Sequence, residues 1–287
     1  MRRASLPTRV AVSDAQPPVF GRALREWRMA RRRSQLELAL EAEVSSRHLS
    51  FLETGRARPS REMVLVLASV LELPLRERNG LLKAAGFAPA YTETGLSEPE
   101  MAEMMAALRL ILRQHQPFPA VALDRHWNRV MMNEAYLGAL RLILGEQAVA
   151  GIVAYEVLPV PRMNLLRVLF DPGGLRPFVA NWEQVARNVL ARVRREAAFE
   201  GDPKMQELLA DLVRLSGLPA SSAPSADAPQ GLVIPVEIRL GSHLLRFFTT
   251  ITTVGAPQDV TLAELRIEAL HPADADTEAA VRALLGS

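Results

Sequence analysis

The chain has 287 residues, 49% hydrophobic and 23% charged, which is room for two domains of ordinary size and too apolar for wholesale disorder. It holds no cysteine, which excludes disulfides, thiolate metal ligands and cysteine nucleophiles and fits a reducing, cytoplasmic setting. The net charge of +2 is unevenly spread: residues 1–90 carry 16 Lys and Arg against 9 Asp and Glu, whereas residues 91–287 carry 18 against 23, so phosphates are expected near the first third.

Residues 1–18 mix Arg, Ser and Pro without a period and read as a flexible tail. Five short helices are predicted at 20–31, 35–42, 46–54, 61–71 and 75–84, with Ser34, Ser45 and Ser60 as N-caps and Gly55 and Gly86 as C-terminal stops. They form an all-α five-helix domain over 19–88, followed by a linker over 89–97. Ser97 and Glu100 predict a capping box opening a helix over 98–115, with Met101, Met104, Met105, Leu108, Ile111 and Leu112 at helical spacing.

The period then changes to two. Ala120–Asp124 and Arg129–Met132 predict strands around a His126-Trp127-Asn128 turn. Helices follow at 133–144, 164–170, 176–198 and 204–216, then a Ser/Ala/Pro-rich loop over 218–231, strands over 232–240, 244–253 and 262–270, and a last helix near 276–285. The second domain, 98–287, is therefore expected to be α+β with an antiparallel sheet. No apolar run approaches ~20 residues, so no membrane association is expected.

The run from Ser34 to Glu53 spaces Leu38, Ala39, Val44, Leu49 and Leu52 as two helices need when they cross steeply on a short turn. Ala39 is small where the second helix passes over it, and the exposed face of that helix offers Ser46, Arg47, Ser50 and Phe51. With Leu24, Arg28, Ser34-Gln35, Gly55 and Pro59, the segment from Phe20 to Leu73 resembles the Xre/Cro-like helix-turn-helix family, of the phage-repressor type. The resemblance implies a lambda-repressor-like fold, a double-stranded DNA operator and a homodimer. It places Gln35 at backbone phosphate, the recognition positions at Ser46, Arg47 and Ser50 just after Ser45, and a bracing pair at Arg28 and Glu53. Arg47 is the residue whose guanidinium fork matches guanine O6 and N7. Arg31, Arg32, Arg33, Arg56, Arg58 and Arg61 flank the motif where phosphates would lie. Glu43 departs from the pattern, standing where a turn glycine is common.

Further on, Gln116-Pro117-Phe118-Pro119, Leu123-Asp124-Arg125-His126-Trp127-Asn128, Asn133-Glu134-Ala135, the run from Asn164 to Pro172 and Asn181-Trp182-Glu183 resemble the MmyB-like regulators. That resemblance implies a PAS-like sensor domain with an apolar pocket, and as its bound molecule a small apolar ligand such as a fatty acid, with no other cofactor. By their chemistry, Trp127, Phe170, Trp182, Phe247 and Phe248 can line such a cavity, and Asn133, Asn164, Arg167 and Arg246 can hold a polar head group. The competing reading is a second domain that only dimerises or contacts another protein. An enzyme is not expected: the histidines at 48, 115, 126, 243 and 271 lack metal-ligand spacing, there is no phosphate loop or nucleophile elbow, and Asp124 beside His126 has no nucleophile.

Overall fold

The computed structural model describes residues 19–157, 163–200, 202–218 and 235–285. The tail predicted over 1–18 and the predicted loop beyond residue 218 lie outside the described residues. The chain divides into two compact units between Tyr91 and Thr92.

Among the described residues the first unit is five helices, α1 (Val19–Ala30), α2 (Gln35–Glu41), α3 (Ser46–Glu53), α4 (Arg61–Val70) and α5 (Leu75–Ala84). The three predicted serine caps form: Ser34, Ser45 and Ser60 accept from the backbone N–H of Glu37, His48 and Met63. At α2 the box closes reciprocally, since the Ser34 N–H donates to Glu37 at 2.6 Å. The core joins all five helices through Leu24, Leu38, Leu49, Leu52, Leu67 and Leu82, each fully buried. Each such side chain contributes on the order of 1.5–3 kcal/mol. A crossing that the sequence pattern did not reveal sits at Gly21, where an added Cβ would stand 2.5 Å from the Glu53 carbonyl oxygen. Only glycine lets α1 lie directly on the end of α3.

In the second unit a 3-10 turn at Pro99–Met101 leads into α6 (Ala102–Gln114). The capping box predicted at Ser97 and Glu100 does not form: the Glu98 carboxylate turns back and accepts from the Gly95 N–H at 2.8 Å, so the turn opens without a side-chain cap. Then come β1 (Ala120–Leu123), β2 (Arg129–Met132), α7 (Glu134–Leu144), α8 (Leu165–Phe170), α9 (Trp182–Glu200) and α10 (Pro203–Ser216). The helix predicted over 176–198 starts later than expected. Its first residues form a separate 3-10 turn at Arg176–Phe178, because Asn181 swings across to bond Pro235 and Glu237 and breaks the chain there. After β3 (Val236–Leu240) and β4 (His243–Thr253), the strand predicted over 262–270 is also revised. Asp259 caps a short helix, α11 (Val260–Ala263), before β5 (Arg266–Pro272) and α12 (Ala275–Leu285).

Among the described residues the five strands form one antiparallel sheet in the order β2-β1-β5-β4-β3, so the early and late strands of the unit meet at β1 and β5. Alternation along β5 gives the sheet two different faces. Ile267 and Ala269 pack with Ala120, Ala122 and the α6 residues Met105, Leu108 and Leu112. Leu270 packs on the opposite side with Val121, Leu123 and the larger core built by α7 to α10.

The segment predicted as a loose linker is fixed at both ends, each to its own unit. Asn79 accepts from the N–H groups of Ala90 and Tyr91 and donates to the Tyr91 carbonyl at 2.8 Å. Buried Asp259 accepts from Thr92 Oγ1 at 2.9 Å and from Thr94 N and Oγ1 at 3.0 and 2.8 Å. These bonds hold the Asp259 carboxylate below its usual range against the burial that pushes it up.

Candidate nucleic-acid interface and ligand cavity

The turn between α2 and α3 ends at Val44, whose N–H donates to the Ala39 carbonyl at 2.9 Å. It requires a left-handed residue, and Glu43 supplies it at φ 56°. The departure from glycine therefore leaves the turn intact and adds local strain, about 1–2 kcal/mol for a residue carrying a Cβ. From that turn α3 presents Ser46 and Arg47 exposed and Ser50 half-buried. Arg47 rests over the Phe51 ring, its guanidinium carbon 5.3 Å from the centroid, which keeps it extended along the exposed face. Ser45 is engaged as the α3 cap through its hydroxyl oxygen.

Behind this face, Glu53 is 3% exposed and ties three segments together. Arg28 donates to both of its oxygens, Nε at 2.6 Å and Nη2 at 3.0 Å, and Gln35 donates to it at 2.7 Å. The bond to Glu53 raises the Arg28 guanidinium above its ordinary value, outweighing burial. Gln35, expected at phosphate, is thus bound inward in the free protein. Arg33 pairs with Glu41. Arg56 and Arg58 are exposed. Arg31 has a different task from its neighbours: its guanidinium donates to the carbonyls of Leu71 and Glu72 at 2.7 and 2.8 Å and closes the end of α4.

In the second unit a cavity of about 630 Å³ opens between the β3-β4-β5 part of the sheet and helices α8 and α9. This lies within the roughly 300–1,000 Å³ of small-molecule pockets. Its apolar wall includes Trp127, Leu166, Leu169, Val189, Phe248 and Leu270. Phe170 and Trp182 are instead stacked edge-on at 4.8 Å in the adjacent core, with Trp182 Nε1 donating to the Ser216 carbonyl. Phe247 lines a separate crevice of about 80 Å³ beneath α12, and Tyr136 borders both spaces.

The four polar candidates named from the sequence are not on the wall of the larger cavity. Asn133 is wholly buried as the α7 cap and donates to the carbonyls of Leu112 and Phe118. Asn164 caps α8 and braces the Trp127 turn through His126 and Asn128. Arg167 pairs with Asp211 at 2.7 Å, and Arg246 reaches Glu237 and Asp274 on the outer surface at 3.4 Å. Asn133 and Asn164 thus serve as helix caps, and Arg167 and Arg246 sit in exposed ion pairs. The polar wall is formed by Asn188, Arg192, Thr249, Thr250 and Glu268, none of which any sequence motif marks.

Two features give that wall its electrostatics. Two guanidiniums stand over the Trp127 ring, Arg192 at 4.6 Å and Arg266 at 5.0 Å from its centroid, and all three side chains donate to Glu196 at 2.9–3.0 Å. Glu268 lines the cavity half-buried, and its enclosure pushes the carboxyl up to about 7 although Arg192 pulls it down. Burial and the neighbouring Glu268 charge hold the Tyr136 hydroxyl well above its usual range.

Asp124 and His126 share a turn. The Asp124 carboxylate accepts from the backbone N–H of His126 and Asn128, while the His126 ring bonds Asp202 at 2.7 Å. Among the described residues no cluster of His, Asp and Glu can hold a metal ion, and no helix is long and apolar enough to cross a membrane. Residues 24–78 match the family described as helix-turn-helix, and residues 104–284 match the family described as MmyB-like transcription regulator ligand binding domain. No curated protein matches the chain.

Proposed function

The chain belongs to the MmyB-like transcription regulators, a DNA-binding helix-turn-helix joined to a ligand-binding domain, and from that premise we propose that a small apolar molecule in the 630 Å³ cavity sets its operator affinity. The cavity is the observation that carries the reading, because a domain serving only as an interaction module has no need of an apolar chamber of ligand size beside its sheet. The wall also has a mechanical exit. Its strand β5 turns Glu268 and Leu270 to the cavity and Ile267 and Ala269 to α6, the first long helix after the connection at Thr92–Thr94. A ligand that displaces β5 thereby changes the packing of α6, a small shift within a packed layer of the kind that reads out between two states.

On the DNA side, Arg47 is the proposed base reader, flanked by Ser46 and Ser50, with Arg56 and Arg58 on phosphates. One recognition helix spans few base pairs, so the operator is read by two copies of the chain on half-sites about one helical turn apart. The reading is tested by measuring operator affinity of the full chain with the cavity empty and filled. A difference of fivefold or more supports it, and equal affinities at proven occupancy reject it.

A further inference from the structure

Helix α6 is apolar on two opposite sides. The inner side, Met105, Leu108 and Leu112, is buried against Ala120, Ala122 and the β5 residue Ile267. The outer side holds Glu103, Ala106, Ala107, Leu110, Ile111 and Gln114, which recur at the helical spacing of three and four and so lie in one stripe. Leu110 is 57% exposed and Ile111 46%, and among the described residues neither joins a core cluster. A single exposed leucine needs no explanation, but two large aliphatic side chains continuous with two alanines make a face that water covers poorly.

That face is polarised along the helix. Its amino-terminal half is small, Ala106 and Ala107, and its carboxyl-terminal half is large, Leu110 and Ile111. The two ends carry opposite charges, Glu103 and Arg113. Arg113 lies over the Tyr155 ring at 5.1 Å, and among the described residues neither charge enters an ion pair. Positions 103 and 113, and likewise 106 and 110, stand equally far from Leu108. A second α6 laid antiparallel about a twofold axis at that level brings Leu110 and Ile111 of each copy against the alanines of the other. The same operation sets Glu103 of each copy level with Arg113 of the other. A parallel pair would instead stack Glu103 on Glu103 and Arg113 on Arg113, and would leave alanine facing alanine across a gap. At about 1.5 Å per residue the stripe is roughly 17 Å long, the size of a weak, reversible interface rather than an obligate one.

We propose that the outer face of α6 is the surface on which two copies of the chain join, by antiparallel pairing of the two helices about Leu108. The inference rests on the reading that two copies bind the operator, and it names the surface that joins them. Such a pairing is isologous and supplies the twofold symmetry that paired half-sites require. It also gives a displacement of β5 somewhere to act. The inner side of α6 rests on β5 and the outer side on the partner copy, so a shift of the helix on the sheet is a shift of the interface itself.

The test is sedimentation equilibrium of the full chain, alone and on an operator selected from random duplexes. The wild-type chain is expected to associate with a dissociation constant on the order of micromolar. Leu110→Glu is expected to raise that constant by about tenfold or more, since it buries a charge at the centre of the pair. Glu103→Arg and Arg113→Glu are each expected to raise it by about fivefold, because each reversal sets like charges level twice in the symmetric pair. The chain carrying both reversals is expected to return to within about twofold of wild type, since the attraction is rebuilt with its signs exchanged. All three positions are exposed, and rescue by the double reversal is not open to a variant that merely folds badly. If Leu110→Glu pairs as tightly as wild type, or the double reversal is no better than the singles, α6 is not the surface; two-copy binding then stands, with the copies joined elsewhere. Two copies on the operator with no association of the free chain up to about 1 mM likewise overturns the pairing. A single copy on the operator rejects the two-copy reading and this inference with it.

Discussion

The two units use the same kind of group, a carboxylate among arginines, in opposite ways. In the first, Glu53 is buried and fully matched: Arg28 grips both oxygens, Gln35 adds a third bond, and the cluster is sealed behind the exposed face of α3. In the second, Glu268 lines the cavity, where the charge of Arg192 offsets its enclosure only in part, and its carboxyl is pushed up to about 7. A satisfied buried charge makes a rigid platform, whereas an unsatisfied one makes a site that responds to what enters.

The sharpest way to break the comparison is to remove the matched anion. Glu53→Ala leaves the half-buried Arg28 with only the Arg33 carbonyl to bond and is expected to destabilise the first unit by about 2–4 kcal/mol, seen as a lower denaturant midpoint of that unit's transition. Gly21→Ala comes next, because the new methyl meets carbonyl oxygens of α3 at 2.5 and 2.6 Å. The expected loss is about 1–3 kcal/mol by the same measurement.

Arg47→Ala separates platform from reader. Stability should change by no more than about 0.5 kcal/mol, while affinity for a selected operator falls by roughly 1–3 kcal/mol in an anisotropy titration. Equal binding to the operator by Arg47→Ala would place base reading elsewhere.

For the unsatisfied anion the sign follows from its raised value. The unfolded carboxyl ionises near 4.5 and the folded one near 7, so stability falls as pH rises between these values and stays at the lower level above 7. Glu268→Gln lacks this loss. Its melting temperature relative to wild type should therefore increase from pH 5 to pH 8, and a constant difference would contradict the enclosure argued for Glu268. The smallest expected effect is at the turn: Glu43→Gly relieves the left-handed strain at φ 56° and should stabilise the first unit by about 0.5–1 kcal/mol.

The first unit was legible in the sequence because its signals are local. Serine caps, the apolar spacing from Leu38 to Leu52 and the Arg28–Glu53 pair all lie within one short stretch, and the helices begin and end within a residue of where those signals put them. Gly21 escaped notice because its constraint comes from α3, some thirty positions away. The same holds more strongly for the cavity. Its polar wall joins residues of α9, β4 and β5 that only the sheet order brings together, and the aromatic and polar side chains chosen by type were in good part already engaged. Trp127 and Phe248 reach the wall; Asn133 and Asn164 instead cap helices, a role their type favours as much as ligand contact.

The most direct test of the central claim is one anisotropy experiment on the full chain, using an operator selected from random duplexes, without and with saturating dodecanoate at pH 6.5. Occupancy is followed in the same sample through the fluorescence of Trp127 against a Trp127→Phe control. The account predicts that operator affinity changes at least fivefold when the cavity fills. Unchanged affinity with the cavity demonstrably occupied would contradict it.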